Sequence, residues 1–172
     1  LIASQKSVKL NPQDAEAHSN LGVLLQEVGK LNEAEISCRK AITLKPDFTE
    51  AHYNLGVTLQ EVGKLNEAAT SYRKAITLKP DYTEAHNNLG VMLQEVGKLN
   101  EAETSYRKAI TLKPDYAEAY NNLSVLLQEV GKLNEAEISC RKAITLKPDY
   151  TEAHNNLGVL LQEVGKLDEA ET

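Results

Sequence analysis

The chain has 172 residues, 41% of them hydrophobic and 26% charged, with 5% aromatic residues, no Trp and a formal net charge of −6. An acidic balance weighs against nucleic acid as a partner, because phosphate contacts dominate that affinity and call for a basic surface. No stretch approaches the ~20 apolar residues needed to cross a bilayer, and no signal-peptide pattern opens the chain, so no membrane partner and a cytoplasmic location are expected.

Residues 1–14 align backwards from Pro12, with Leu10 and Val8 in the places that Leu44 and Ile42 hold further on. The chain is therefore expected to open in the second helix of a preceding repeat. Copies of one unit then begin at Ala15, Thr49, Thr83, Ala117 and Thr151, each 34 residues after the last. Prolines at 12, 46, 80, 114 and 148 keep step with Gln-Glu-Val-Gly-Lys-Leu runs at 26, 60, 94, 128 and 162. A fixed period of this length predicts stacked supersecondary units rather than one globular core. The expected organisation is a single array: a part-repeat over 1–14, complete repeats over 15–48, 49–82, 83–116 and 117–150, and a truncated repeat over 151–172. We read it as a segment of a longer array. The apolar stripes expected at Leu1–Leu10 and Thr151–Val164 predict head-to-tail self-association, since one surface of the stack complements the next.

Within one copy, Ala85, Leu89, Gly90, Leu93 and Val96 recur at helical spacing and predict a first helix over about 83–96. Gly97 and its equivalents Gly29, Gly63, Gly131 and Gly165 predict left-handed turns. Ala102, Tyr106, Ala109, Ile110 and Leu112 then predict a second amphipathic helix, stopped at Pro114. Asn100 with Glu103, and Asp81 with Glu84, have capping-box spacing. Leu31 with Ile36, and Leu133 with Ile138, are candidates for the accompanying hydrophobic staple, where repeats two and three carry Thr70 and Thr104.

No chemistry stands out against this repetition. Four histidines, His18, His52, His86 and His154, are spaced by whole repeats, so they lie at least about 8–10 Å apart, too far to share one metal ion. Packing at the inter-repeat seam is the expectation for them. Carboxylates recur from copy to copy, whereas an acid–base pair needs one distinct pocket. No P-loop, dinucleotide fingerprint, nucleophile elbow or zinc cluster is present, so neither catalysis nor a cofactor is expected. Cys38 and Cys140 lie three repeats apart, beyond disulfide reach, and are expected to be buried free thiols.

The pattern at Leu89-Gly90, Leu93, Ala102, Tyr106, Ala109 and Pro114, repeated in register, resembles the tetratricopeptide repeat family. Departures are His or Tyr120 where the family often has Trp, and Leu25, Leu59, Leu93, Leu127 and Leu161 where it often has Tyr. The resemblance implies an all-α fold, a right-handed superhelical solenoid of 34-residue helix–turn–helix hairpins, with first helices lining a concave surface. On those helices Glu84, Asn87, Asn88, Val91, Gln94 and Glu95 lie away from the apolar stripe. The place of Asn88 holds Asn20, Asn54, Asn122 and Asn156 in the other copies, and the place before it holds Tyr53, Asn87, Asn121 and Asn155 in repeats two to five.

Asn is a middling helix former whose side chain competes with the backbone. Its amide offers both donor and acceptor, and so suits the backbone of an extended polypeptide along the groove. Duplication of a single Asn, or a bond from each Asn to the neighbouring repeat, would produce the same row. Asn-Leu-Gly followed by the Lys-Pro-Asp-Tyr-Thr-Glu-Ala-His type of junction is also similar to the repeat region of O-linked N-acetylglucosamine transferases and their SPINDLY-like relatives, which implies a substrate-recruiting segment; nothing in the chain resembles the transferase domain. Glu, Asn, Val and Gln on the same face speak against clamping a terminal carboxylate. A non-catalytic protein-interaction scaffold with a polypeptide partner is the leading expectation.

Overall fold

Each copy of the sequence becomes a hairpin of two helices in the computed structural model, which describes residues 1–165. The helices are α1 (Ile2–Leu10), α2 (Ala15–Glu27), α3 (Leu31–Leu44), α4 (Thr49–Glu61), α5 (Leu65–Leu78), α6 (Thr83–Glu95), α7 (Leu99–Leu112), α8 (Ala117–Glu129), α9 (Leu133–Leu146) and α10 (Thr151–Glu163). The described residues contain no strand, and the fold is an all-α helical repeat. The expected start of a second helix at Asp168–Thr172 lies outside the described residues.

Turn chemistry sets the hairpin. Gly29, Gly63, Gly97, Gly131 and Gly165 have φ between 74° and 82°, a region open to residues without Cβ. At the first four of these, two backbone bonds close the turn: the Gly97 N–H donates to Gln94 and the Lys98 N–H to Leu93, at 2.9 and 2.8 Å, and the other three repeat this. These are the paired bonds of a Schellman motif. Second helices end where Lys45, Lys79, Lys113 and Lys147 leave the helical region, each immediately before a proline.

The expected caps need correction. Second helices begin at Leu31, Leu65, Leu99 and Leu133, with a lysine at the N-cap and no side-chain cap bond. Asn100 is consequently the second residue of α7, and the Glu103 carboxylate is engaged by Arg107 and Lys132 instead of a backbone N–H. At first helices the N-cap place holds Phe48, Tyr116 and Tyr150, without a side-chain bond. Asp47, Asp115 and Asp149 stand one residue too early, as does Asp81. In α2, where Asp14 stands at the N-cap itself, its Oδ1 accepts from the Ala17 N–H at 3.0 Å. The staple is absent too: Ile36 and Ile138 are 69% and 70% exposed.

The chain divides into two compact units, residues 1–85 and the described residues from 86 onward. In the first, α1 packs on α2, α2 on α3, α3 on α4 and α4 on α5, with α2 beside α4. In the second, α7 packs on α8, α8 on α9 and α9 on α10, with α8 beside α10. First helices are thus neighbours within each unit. Leu55 and Leu59 of α4 are buried with Ala68, Tyr72 and Ala75 of α5. Each fully buried Leu contributes about 1.5–3 kcal/mol.

In repeats two and three, close approach of the two helices depends on a residue without Cβ. A Cβ on Gly56 would fall 2.6 Å from the Tyr72 ring, and one on Gly90 2.6 Å from the Tyr106 ring. In repeat four both partners differ together: Ser124 replaces the glycine and Cys140 the tyrosine. Cys38 and Cys140 are buried and free. Burial pushes the Cys38 thiol up to about 11, and the Cys140 thiol, which donates to the Ala153 carbonyl at 3.0 Å, is also raised.

Candidate functional site

The asparagine row is built by the spacing of first helices. Residues one repeat plus one position apart fall side by side on adjacent first helices. In the first unit Asn54 Nδ2 donates to Ser19 Oγ at 3.1 Å. In the second, Asn122 Nδ2 donates to Asn87 Oδ1 at 3.1 Å and Asn156 Nδ2 to Asn121 Oδ1 at 2.9 Å. Asn87 Nδ2 also donates to Asn88 Oδ1 at 3.4 Å, and Asn121 Nδ2 to Glu152 Oε1 at 3.3 Å.

A bond to the neighbouring repeat is therefore one role of this row. It uses only part of each amide. An Asn side chain has two N–H groups and a carbonyl oxygen with two lone pairs, so Asn54, Asn122 and Asn156 each keep an N–H and the oxygen for a further partner. All three are half-buried, as is Asn88, while Asn20 is exposed.

The preceding positions divide. Asn87 and Asn121 are fully buried, which corrects the expectation that they lie on the groove surface: they brace the row from behind, because the next first helix covers that face. Asn155, on the last described helix, is exposed, and Tyr53 is half-buried.

In the first unit this face opens into a cleft of about 690 Å³, whose lining includes Asn20, Asn54, Tyr53, Glu16, Glu50 and Phe48. The Tyr53 ring stacks on Tyr82, with centroids 4.8 Å apart and planes 28° apart, and meets Tyr72 at 5.8 Å. Burial pushes the Tyr82 phenol up to about 12, with Tyr53, Glu84 and Glu50 adding to the shift. In the second unit a cleft of about 390 Å³ is lined by Asn122, Val91, Val125, Gln94, Glu129 and Glu152 among others. The Val125 side chain is exposed there, and Gln94 Nε2 donates to Glu129 at 2.8 Å.

Sequence reasoning missed the junction aromatics. Lys45, Lys79, Lys113 and Lys147 each hold their ammonium 5.0–5.1 Å from the ring centroid of Phe48, Tyr82, Tyr116 or Tyr150. The signal was present as Lys-Pro-Asp followed by an aromatic residue at every junction from Lys45 onward.

The remaining candidates resolve into packing. His18, His52 and His154 donate from Nε2 to the carbonyls of Pro12, Pro46 and Pro148 at 3.1, 2.9 and 2.9 Å, which ties each first helix to its incoming loop. No group of three or more metal-ligating side chains gathers among the described residues. On second helices basic residues are paired across repeats. Arg39 binds Glu35 and Glu67 at 2.9 and 2.7 Å, and Lys64 returns to Glu35 at 3.0 Å. Arg107, Glu103, Glu135 and Lys132 repeat this arrangement. No helix of the described residues is long and apolar enough to cross a membrane.

Stacked helical hairpins with a polar row on their first helices define an all-α helical-repeat protein. Family models described as tetratricopeptide repeat, or TPR repeat, match residues 15–48, 37–70, 61–97, 95–131, 117–150 and 139–172. The chain belongs to the tetratricopeptide repeat family. Among solved structures it is similar to YrrB, described as a TPR protein with an unusual peptide-binding site, at 24% identity over 98% of this chain and 87% of that one, with a TM-score of 0.80. It is similar to MamA at 27% identity over 87% of each chain and a TM-score of 0.81. A thermophilic TPR protein of Thermus thermophilus is 26% identical over 91% of this chain and 86% of that one, with a TM-score of 0.72. A search of curated proteins gave no match.

Proposed function

We propose that the chain is a non-catalytic scaffold that holds an extended polypeptide against its first-helix faces, with the row Asn20, Asn54, Asn88, Asn122 and Asn156 bonding the ligand backbone. The observation that carries this is the half-used amide: each of Asn54, Asn122 and Asn156 is oriented by one bond to the preceding repeat and retains a donor and an acceptor. A group already held in one rotamer loses less entropy on binding than a free one. Tyr53 and Asn155 border the row and add side-chain contacts. Asn87 and Asn121 act indirectly, by holding Asn122 and Asn156. The peptide-binding site named for YrrB supports the same kind of partner.

A substrate-recruiting role of the O-linked N-acetylglucosamine transferase type is a special case of this reading. It rests on the sequence resemblance of the asparagine row and the repeat junctions.

A dodecapeptide selected from a random library against the wild-type chain provides the test. Isothermal titration is expected to show the double variant Asn54→Ala, Asn122→Ala binding it ~10-fold or more weakly, about 1.5 kcal/mol for two lost bonds, with unchanged helicity by circular dichroism. Equal affinity for the variant would overturn the role of the row.

A further inference from the structure

We propose that the cleft of residues 1–85 is a specificity pocket for a cationic side chain of the bound polypeptide, with Tyr53 as its recognition wall and Glu16 and Glu50 as its counter-charges. The proposal rests on the reading that the first-helix faces take an extended polypeptide.

Three observations point to a cation. The first is charge. The cleft is lined by the carboxylates of Glu16, Asp47 and Glu50 against a single ammonium, Lys45, which already sits 5.1 Å from the Phe48 ring. These carboxylates are exposed and make no ion pair among the described residues. Elsewhere in the same unit Glu33, Glu35 and Glu67 are each held by Lys30, Arg39 or Lys64. Within the cleft, by contrast, the acidic groups have no cationic partner among the described residues.

The second is the ring. Tyr53 stands alone in a position occupied by Ser19, Asn87, Asn121 and Asn155 in the other copies. Its ring is held by Tyr82 at 4.8 Å and Tyr72 at 5.8 Å. An aromatic face fixed by neighbouring rings and flanked by carboxylates is the arrangement that attracts a guanidinium or ammonium through the ring quadrupole. The third is the contrast with the second unit. There Asn121, in the place of Tyr53, directs its amide at Glu152 at 3.3 Å and so occupies that carboxylate. In the first unit the residue that stands to Glu50 as Asn121 does to Glu152 is Ser19, whose Oγ accepts from Asn54 instead.

The test uses three acetylated dodecapeptides of one Ala/Ser/Gly sequence that differ at a central residue: arginine, citrulline, which keeps the shape without the charge, or glutamate. Isothermal titration with the wild-type chain is expected to show the arginine peptide binding ~10-fold tighter than the citrulline peptide, the glutamate peptide weakest, and the preference shrinking with added salt. Tyr53→Asn, which installs the residue found at this place in three other copies, and Glu50→Gln, a change at an exposed site, should each reduce the arginine preference several-fold. Equal binding of the arginine and citrulline peptides, with both lost in Asn54→Ala, would overturn the pocket and leave the scaffold reading standing. A preference that survives both variants would likewise overturn it. Absence of binding by all three peptides would overturn both readings.

Discussion

Single residues set how close the helices come. Gly90 lies where any Cβ would meet the Tyr106 ring at 2.6 Å, and repeat four solves the same contact with Ser124 and Cys140. Gly90→Ala gains up to about 1 kcal/mol of helix propensity but overpacks a filled interface, at a cost of about 1–3 kcal/mol. Urea denaturation is expected to show net destabilisation. In a double-mutant cycle, Gly90→Ser should cost about 1–3 kcal/mol beside Tyr106 and little in the Tyr106→Cys background; additive costs would contradict the pairing. Asn121 makes a related case. It is fully buried, donates to Glu152 and accepts from Asn156, so Asn121→Ala should cost about 1–3 kcal/mol by denaturation. A neutral effect would mean that the row is not braced in this way. Periodicity singled out the asparagines as odd mid-helix residues. It gave no means of separating Asn121 from Asn122, because adjacent helical positions on the edge of an apolar stripe differ in burial only once a neighbouring helix is in place.

At the scale of the element, helix ends were legible wherever a backbone demand was involved. Glycines with φ near 74–82° and prolines after the second helices mark boundaries that only those residues satisfy cheaply. Side-chain caps were not legible, since a one-residue offset separates Asp14, which caps, from Asp47, which does not. The carboxylates assigned to capping serve instead in ion-pair networks between second helices. Glu103 is held below the usual carboxylate range, first by its bond to Lys132 and then by Arg107, with burial opposing; Glu35 is held down likewise by Lys64 and Arg39. A lowered folded-state value means that the associated stability is present above the ordinary 4.5 and is lost as pH falls through the lowered value. Denaturant midpoints measured downward from pH 6 should therefore drop below about pH 4.5. Glu103→Gln should lower the midpoint at pH 7 by the equivalent of about 0.5–1 kcal/mol and flatten this acid limb. An unchanged acid limb would remove Glu103 from the network's energetics.

For the molecule as a whole, the 34-residue period carried the fold, since a unit that cannot bury its apolar stripe alone must stack on a copy of itself. The acidic balance is consistent with the paired second-helix cations, Arg39 with Glu67 and Arg107 with Glu135. The pocket proposed around Tyr53 was hidden. The Tyr53–Tyr82 stack joins residues 29 positions apart, near the two ends of one repeat, and only packing brings them together. Tyr53 was named among the candidate groove residues, but the carboxylates around it look in sequence like those of every other copy.

The central claim, that the asparagines of the first helices receive the backbone of an extended polypeptide, is tested most directly through their own amides. Asn32, Asn66, Asn100 and Asn134 on the second helices are exposed and serve as internal controls. Side-chain amide resonances of 15N-labelled protein can be followed by NMR during titration with the library-selected dodecapeptide. The account predicts shifts at Asn20, Asn54, Asn88, Asn122 or Asn156, saturating together, with the second-helix asparagines unmoved. Saturable shifts confined to the second-helix asparagines, with the first-helix row silent, would contradict it.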